Sequence, residues 1–148
     1  MDILKFISIF FAWFLSSLFI NVNAFYQGLI KPFITPSSFI FRIIWPIIYF
    51  LITLSIVKII KKNKLKNIKP YLFALGINYI LNQLFPIIFF KLNNLFLSFL
   101  ISLGVFISSI NLFIKTYILD IKASKLLIFY IIWSLFATIL AFSILVMN

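Results

Sequence analysis

The 148-residue sequence has no cysteine and no histidine, and its only acidic residues are Asp2 and Asp120. Disulfides, thiolate or imidazole metal sites, Ser-His-Asp triads and paired carboxylates are thereby excluded. Charged residues make up only 10% of the chain, and none falls near the middle of a long apolar run. A proton relay, an ion-coupled carrier or a voltage sensor has no group to work with. Glycine is scarce too, at three residues, and no Gly/Ser linker or internal repeat divides the chain.

What is present is apolar. Hydrophobic residues make up 65% of the sequence, and mean hydropathy is +1.24. A soluble core of this size cannot hide that much apolar surface, so the chain reads as a multi-pass integral membrane protein. Five continuous runs, 3–21, 40–60, 71–90, 95–114 and 126–146, each approach the ~20 residues that cross a ~30 Å hydrocarbon core. They do not alternate, which excludes a β-barrel. The expected fold class is all-α, an integral membrane bundle of five transmembrane helices forming one domain over residues 1–148. The four-residue connector Lys91-Leu92-Asn93-Asn94 forces the third and fourth spans into an antiparallel hairpin.

The net charge of +11 raises nucleic acid as a partner, but the cations cluster at the ends of apolar runs and so report topology instead. No nucleic-acid partner is expected. On one side lie ten cations: Lys5, six lysines between Lys58 and Lys69, and Lys115, Lys122 and Lys125. Only Lys31, Arg42 and Lys91 lie on the other. In a bacterial cell membrane the N-terminus is then expected inside and the C-terminus outside. Lys5, the first apolar run and Val22-Asn23-Ala24 also fit a cleavable leader, but nearly twenty apolar residues are long for one. The run is kept as the first span.

Polar residues inside the spans are few. Asn78 and Asn82 lie at i and i+4 on one helix face, with Gln83 beside them and Pro86 one turn on. Two readings stand: interhelical hydrogen bonds that hold the bundle, or a polar spot on a cavity wall widened by a proline kink. Tyr130, Trp133 and Ala137 form a second stripe, read either as packing against lipid and neighbouring helices or as another cavity wall. The pairs Ala12/Ser16, Ser98/Ser102 and Ala137/Ala141 permit close helix contact within the chain or across a dimer. With acid–base chemistry absent, the chemistry left is recognition of a large, planar, apolar molecule by aromatic faces and a few amides.

The connector 22–39 is unusually structured for a tether. Gly28 allows a tight bend, while Pro32 and Pro36 fix the backbone, so Tyr26 to Pro36, with Lys31, are expected to form an ordered lid over the bundle end. A rigid linker with headgroup-bound aromatics is the plainer reading. Trp45 is expected to open the second span beneath the lid, with Pro46 in its first turn.

The order Tyr26, Leu29, Lys31-Pro32, Thr35-Pro36, Trp45, Tyr49, Asn78-Tyr79, Asn82-Gln83, Tyr130, Trp133 and Phe136-Ala137-Thr138 resembles the TspO/MBR family, the tryptophan-rich sensory and translocator proteins, in its bacterial form. The resemblance implies a homodimeric five-helix membrane receptor or sensor. Its pocket would bind tetrapyrroles such as protoporphyrin IX and, in many members, isoquinoline carboxamide or benzodiazepine drugs. Tyr26, Trp45, Asn82 and Trp133 would line the pocket, with Asn78, Tyr130 and Ala137 nearby. The porphyrin is a ligand, and no cofactor is implied. Light-dependent porphyrin breakdown, with Trp45 and Trp133 as redox candidates, is one alternative activity; a scaffold or passive translocator is another. Phe25, Ser37 and Phe129 depart from the family's usual Trp, Pro and Pro, and no Tyr precedes a Lys or Arg between Ala141 and Asn148, which disfavours sterol transport.

Overall fold

The computed structural model describes residues 3–20 and 23–148, all helices and connectors. Helix α1 (Ile3–Phe14) tightens into a 3₁₀ stretch at Leu15–Phe19. A short α2 (Ala24–Gly28) follows, then α3 (Ser38–Lys62), α4 (Lys69–Pro86), α5 (Leu95–Leu119), α6 (Ile121–Lys125) and α7 (Ile128–Met147). Among the described residues, four helices are long and apolar enough to cross a membrane: α3, α4 with its extension to Lys91, α5, and α6 with α7. The first is shorter and apolar, at Ile3–Leu18. Expected span end Asn21 and connector start Val22 lie outside the described residues.

Local chemistry sets the helix ends. The Asn23, Asn94 and Asp120 side chains accept from the backbone N–H groups of Tyr26, Leu97 and Ala123 at 3.0, 2.9 and 2.7 Å, satisfying donors that a helix start leaves free. Asn93, at φ 53°, takes the left-handed conformation that reverses the chain between α4 and α5. Asp120 also pairs with Lys62, tying the end of α3 to the α5–α6 corner.

One proline expectation is revised. Pro46 is the ninth residue of α3, not part of its first turn, because the helix starts at Ser38 and not at Trp45. Lacking an N–H, Pro46 cannot bond the Arg42 carbonyl one turn back. At Pro86 the α4 ladder gives way to a π-helical stretch, Ile87–Lys91, with Leu92 N–H donating to the Ile87 carbonyl at 3.0 Å. Gly28 ends α2 without a positive φ, so the bend after it does not draw on glycine's freedom.

The core joins α3, α4, α5 and α7 through buried Ile48, Ile52, Tyr71, Leu112, Tyr130 and Trp133. Large apolar side chains such as Leu4, Phe73, Ile118 and Ile132 cover the outside. Small polar residues are spent inside the chain. Ser102 and Thr138 hydroxyls lie 3.1 Å apart and Ser109 and Ser134 hydroxyls 3.3 Å apart, joining α5 to α7. Tyr79 Oη donates to the Ala12 carbonyl at 2.9 Å and Gln83 Nε2 to the Trp13 carbonyl at 3.2 Å, joining α4 to α1.

Candidate functional site

A cavity of about 570 Å³ opens between α3, the α4–π segment, α5 and α7 at the end covered by the connector. That volume falls within the usual range of small-molecule sites. The α3 wall follows from helix periodicity: Ser38, Phe41, Arg42, Trp45 and Tyr49 recur at three and four residues and all face the space. Phe85, Pro86 and Phe89 supply the α4 side, and Ala137, Leu140 and Ala141 the α7 side. The small α7 residues leave room that a larger side chain would fill.

The cavity floor is a hydrogen-bond chain. Ser16 and Tyr49 hydroxyls lie 3.1 Å apart. Tyr49 Oη donates to Asn82 Oδ1 at 3.2 Å, and Asn82 Nδ2 donates to Tyr130 Oη at 3.3 Å. Tyr130 Oη in turn donates to Asn78 Oδ1 at 3.0 Å, and Asn78 Nδ2 reaches Ser108 Oγ at 2.8 Å. Groups that apolar surroundings would penalise are thus paired across several helices. Asn82 lines the cavity, whereas Asn78 and Tyr130 lie behind it.

Trp133 also stands in a second layer. It meets Trp45 edge to face at 6.5 Å and 88°, and packs on Phe41 and Phe136. Its indole N–H is buried and has no partner among the described residues. Of the candidate residues, then, Tyr26, Trp45, Asn82 and Ala137 reach the cavity, and Asn78, Tyr130 and Trp133 support those that do.

The connector is pinned at its start and near its middle. Asn23 Nδ2 donates to the Phe90 carbonyl at 3.1 Å, and the Tyr26 ring lies 6.1 and 5.8 Å from those of Phe89 and Phe90. Burial raises the Tyr26 phenol above its ordinary pKa, so it stays neutral at working pH. Lys31 Nζ sits 4.6 Å above the Tyr26 ring and donates to the Leu29 carbonyl. Farther on, Asn148 and Ile30 exchange two hydrogen bonds of 2.9 Å each between the end of α7 and the connector. Thr35 N–H donates to the Pro32 carbonyl at 3.0 Å, closing a turn before Pro36 and the start of α3. Gly28, Lys31, Pro32 and Pro36 shape this segment without lining the cavity.

Two participants escaped the sequence reading. Arg42 lies on the α3 wall, visible only once Pro46 is placed inside the helix. The Asn148 latch joins residues 118 positions apart, a pairing no local pattern announces.

The family model for the TspO/MBR family matches residues 5–147. An uncharacterised membrane protein of Bacillus subtilis, YtaB, is 42% identical over 123 residues, covering 83% of this chain and 79% of that protein. The tryptophan-rich protein TspO of Bacillus cereus is 37% identical, covering 90% and 86%. The tryptophan-rich protein TspO of Archaeoglobus fulgidus is 34% identical, covering 86% and 82%.

Proposed function

This chain belongs to the TspO/MBR family of membrane proteins, and from that premise we propose that it is a receptor or sensor binding a planar tetrapyrrole of the protoporphyrin IX type beneath the connector. The observation that carries this reading is the 570 Å³ cavity with aromatic walls from Trp45, Tyr26 and Phe89 over an amide floor at Asn82. A flat macrocycle stacks on an indole face, and the floor offers hydrogen bonds without an acid or base. The ligand is held by contact and shape, and its arrival would be signalled through the connector that closes over it.

Titrating the purified protein with protoporphyrin IX, followed by porphyrin absorbance, tests the reading. Saturable binding that weakens at least about tenfold in the Trp45→Phe/Trp133→Phe double variant is expected. Non-saturable binding, or equal affinity in the variant, overturns it. The Trp45–Trp133 contact at 6.5 Å supports a second reading, photo-oxidation of bound porphyrin in which dioxygen is the net oxidant, the porphyrin supplies the electrons, and the indoles are transient one-electron relays that return to their starting state. Under illumination in air, steady loss of the porphyrin band that stops in the double variant supports it; a stable band sinks it.

A further inference from the structure

Among the described cavity walls, Arg42 is the charged residue, and no ion pair compensates it. The described acid, Asp120, is engaged by Lys62 at the far end of α3. Lys31, the connector's cation, is held over the Tyr26 ring and on the Leu29 carbonyl. Arg42 therefore keeps its guanidinium donors available at the cavity, where it stays exposed while Tyr49 is buried. Arg42, Trp45 and Tyr49 share one face of α3 and span about 10 Å along its axis. A flat ring lying against Trp45 would have one edge at the Tyr49–Asn82 floor and the opposite edge at a planar, permanently charged fork of donors.

We propose that Arg42 is the specificity residue of this cavity, selecting apolar planar ligands that carry a carboxylate at one edge over neutral ones of the same shape. This rests on the cavity reading above and adds a direction to it, with the acidic edge of the ligand toward the mouth and the apolar edge inward. The guanidinium matches a carboxylate through two parallel hydrogen bonds, and the apolar walls strengthen that pairing relative to one in open water. Among the described residues the cavity lining holds no competing acid, so a carboxylate entering it meets attraction there.

The test uses the full chain in phosphatidylcholine nanodiscs, titrated with protoporphyrin IX and with its dimethyl ester, in the parent protein and in Arg42→Gln and Arg42→Lys. The diacid is expected to lose about five- to tenfold in affinity in Arg42→Gln and less in Arg42→Lys, with the diester unchanged in both. Equal losses for diacid and diester, or no loss for either, overturn the proposal while leaving the cavity reading intact. Failure of both ligands to saturate the parent protein removes the cavity reading and this inference with it. Repeating the titrations with phosphatidylglycerol in the nanodisc separates the remaining source of anions. If the Arg42→Gln effect vanishes there, the guanidinium serves a lipid headgroup and ligand selection is refuted; if it persists, Arg42 reads the ligand.

Discussion

Asn78 and Asn82 sit one helical turn apart, share the Tyr130 hydroxyl, and otherwise meet different neighbours. Asn78 has both ends of its amide engaged, by Tyr130 on α7 and by Ser108 and the Val105 carbonyl on α5. Replacing it with Ala leaves the Tyr130 O–H without its acceptor and Ser108 Oγ without its donor, although Tyr130 still accepts from Asn82 and Ser108 still donates to the Val105 carbonyl. Asn78→Ala is expected to lower stability by about 2 kcal/mol, measured by thermal unfolding in detergent, with porphyrin affinity within about twofold of the parent. Asn82→Ala is expected to lower both, because the same amide bridges Tyr49 to Tyr130 and faces the cavity. An Asn78→Ala protein as stable as its parent would show that the buried chain contributes nothing net. The i, i+4 spacing alone places both amides on one face, and which of them meets the cavity depends on where α5 and α7 pack. Trp133 teaches the same lesson: its stripe with Tyr130 and Ala137 is legible, but only Ala137 is small enough to leave space rather than fill it.

At the level of elements, the connector and the α5–α6 corner each rest on a few identifiable bonds. The Asn148 latch is exposed and joins the end of α7 to Ile30 by two bonds. Asn148→Ala is expected to raise the porphyrin off-rate about three- to tenfold by stopped-flow absorbance, with protection of residues 29–37 from hydrogen exchange falling in parallel. An unchanged off-rate would mean that the connector does not gate the cavity. At the other corner, Lys62 and the Ala123 N–H hold the Asp120 carboxyl below its ordinary value of 3.8. A carboxylate with a lowered folded pKa stabilises fully above its unfolded value, and that contribution is lost as pH falls through the lowered one. The melting temperature of the parent is therefore expected to fall below about pH 4 more steeply than that of Asp120→Asn; parallel curves would refute this. The three helix-start side chains are visible in sequence as Asn or Asp before apolar runs. The proline roles are not, because Pro46 suits a first turn or an interior kink equally until the start of α3 is known.

For the whole molecule, hydropathy alone marks four long helices and the hairpin at Lys91 to Asn94, since continuous apolar runs admit few alternatives in a membrane. The first helix is the open element. Its α-helical turns and the 3₁₀ stretch Leu15–Phe19 together reach about 28 Å, close to the ~30 Å hydrocarbon thickness. The 3₁₀ rise lengthens a segment that as α-helix alone would fall short. We infer that it crosses, making five crossings, with the lysine-rich α3–α4 connector inside and the Phe33 connector outside. The natural absence of cysteine makes this directly readable. Leu4→Cys, Phe33→Cys and Lys66→Cys each introduce one thiol at an exposed site. A membrane-impermeant maleimide applied to intact cells is expected to label Phe33→Cys alone, with the other two reacting only after permeabilisation. Labelling of Leu4→Cys together with Phe33→Cys would put both ends of the first helix on one side and reduce the crossings to four. Labelling of Leu4→Cys and Lys66→Cys without Phe33→Cys would keep five crossings and invert the orientation, placing the cavity mouth and Arg42 toward the cytoplasm.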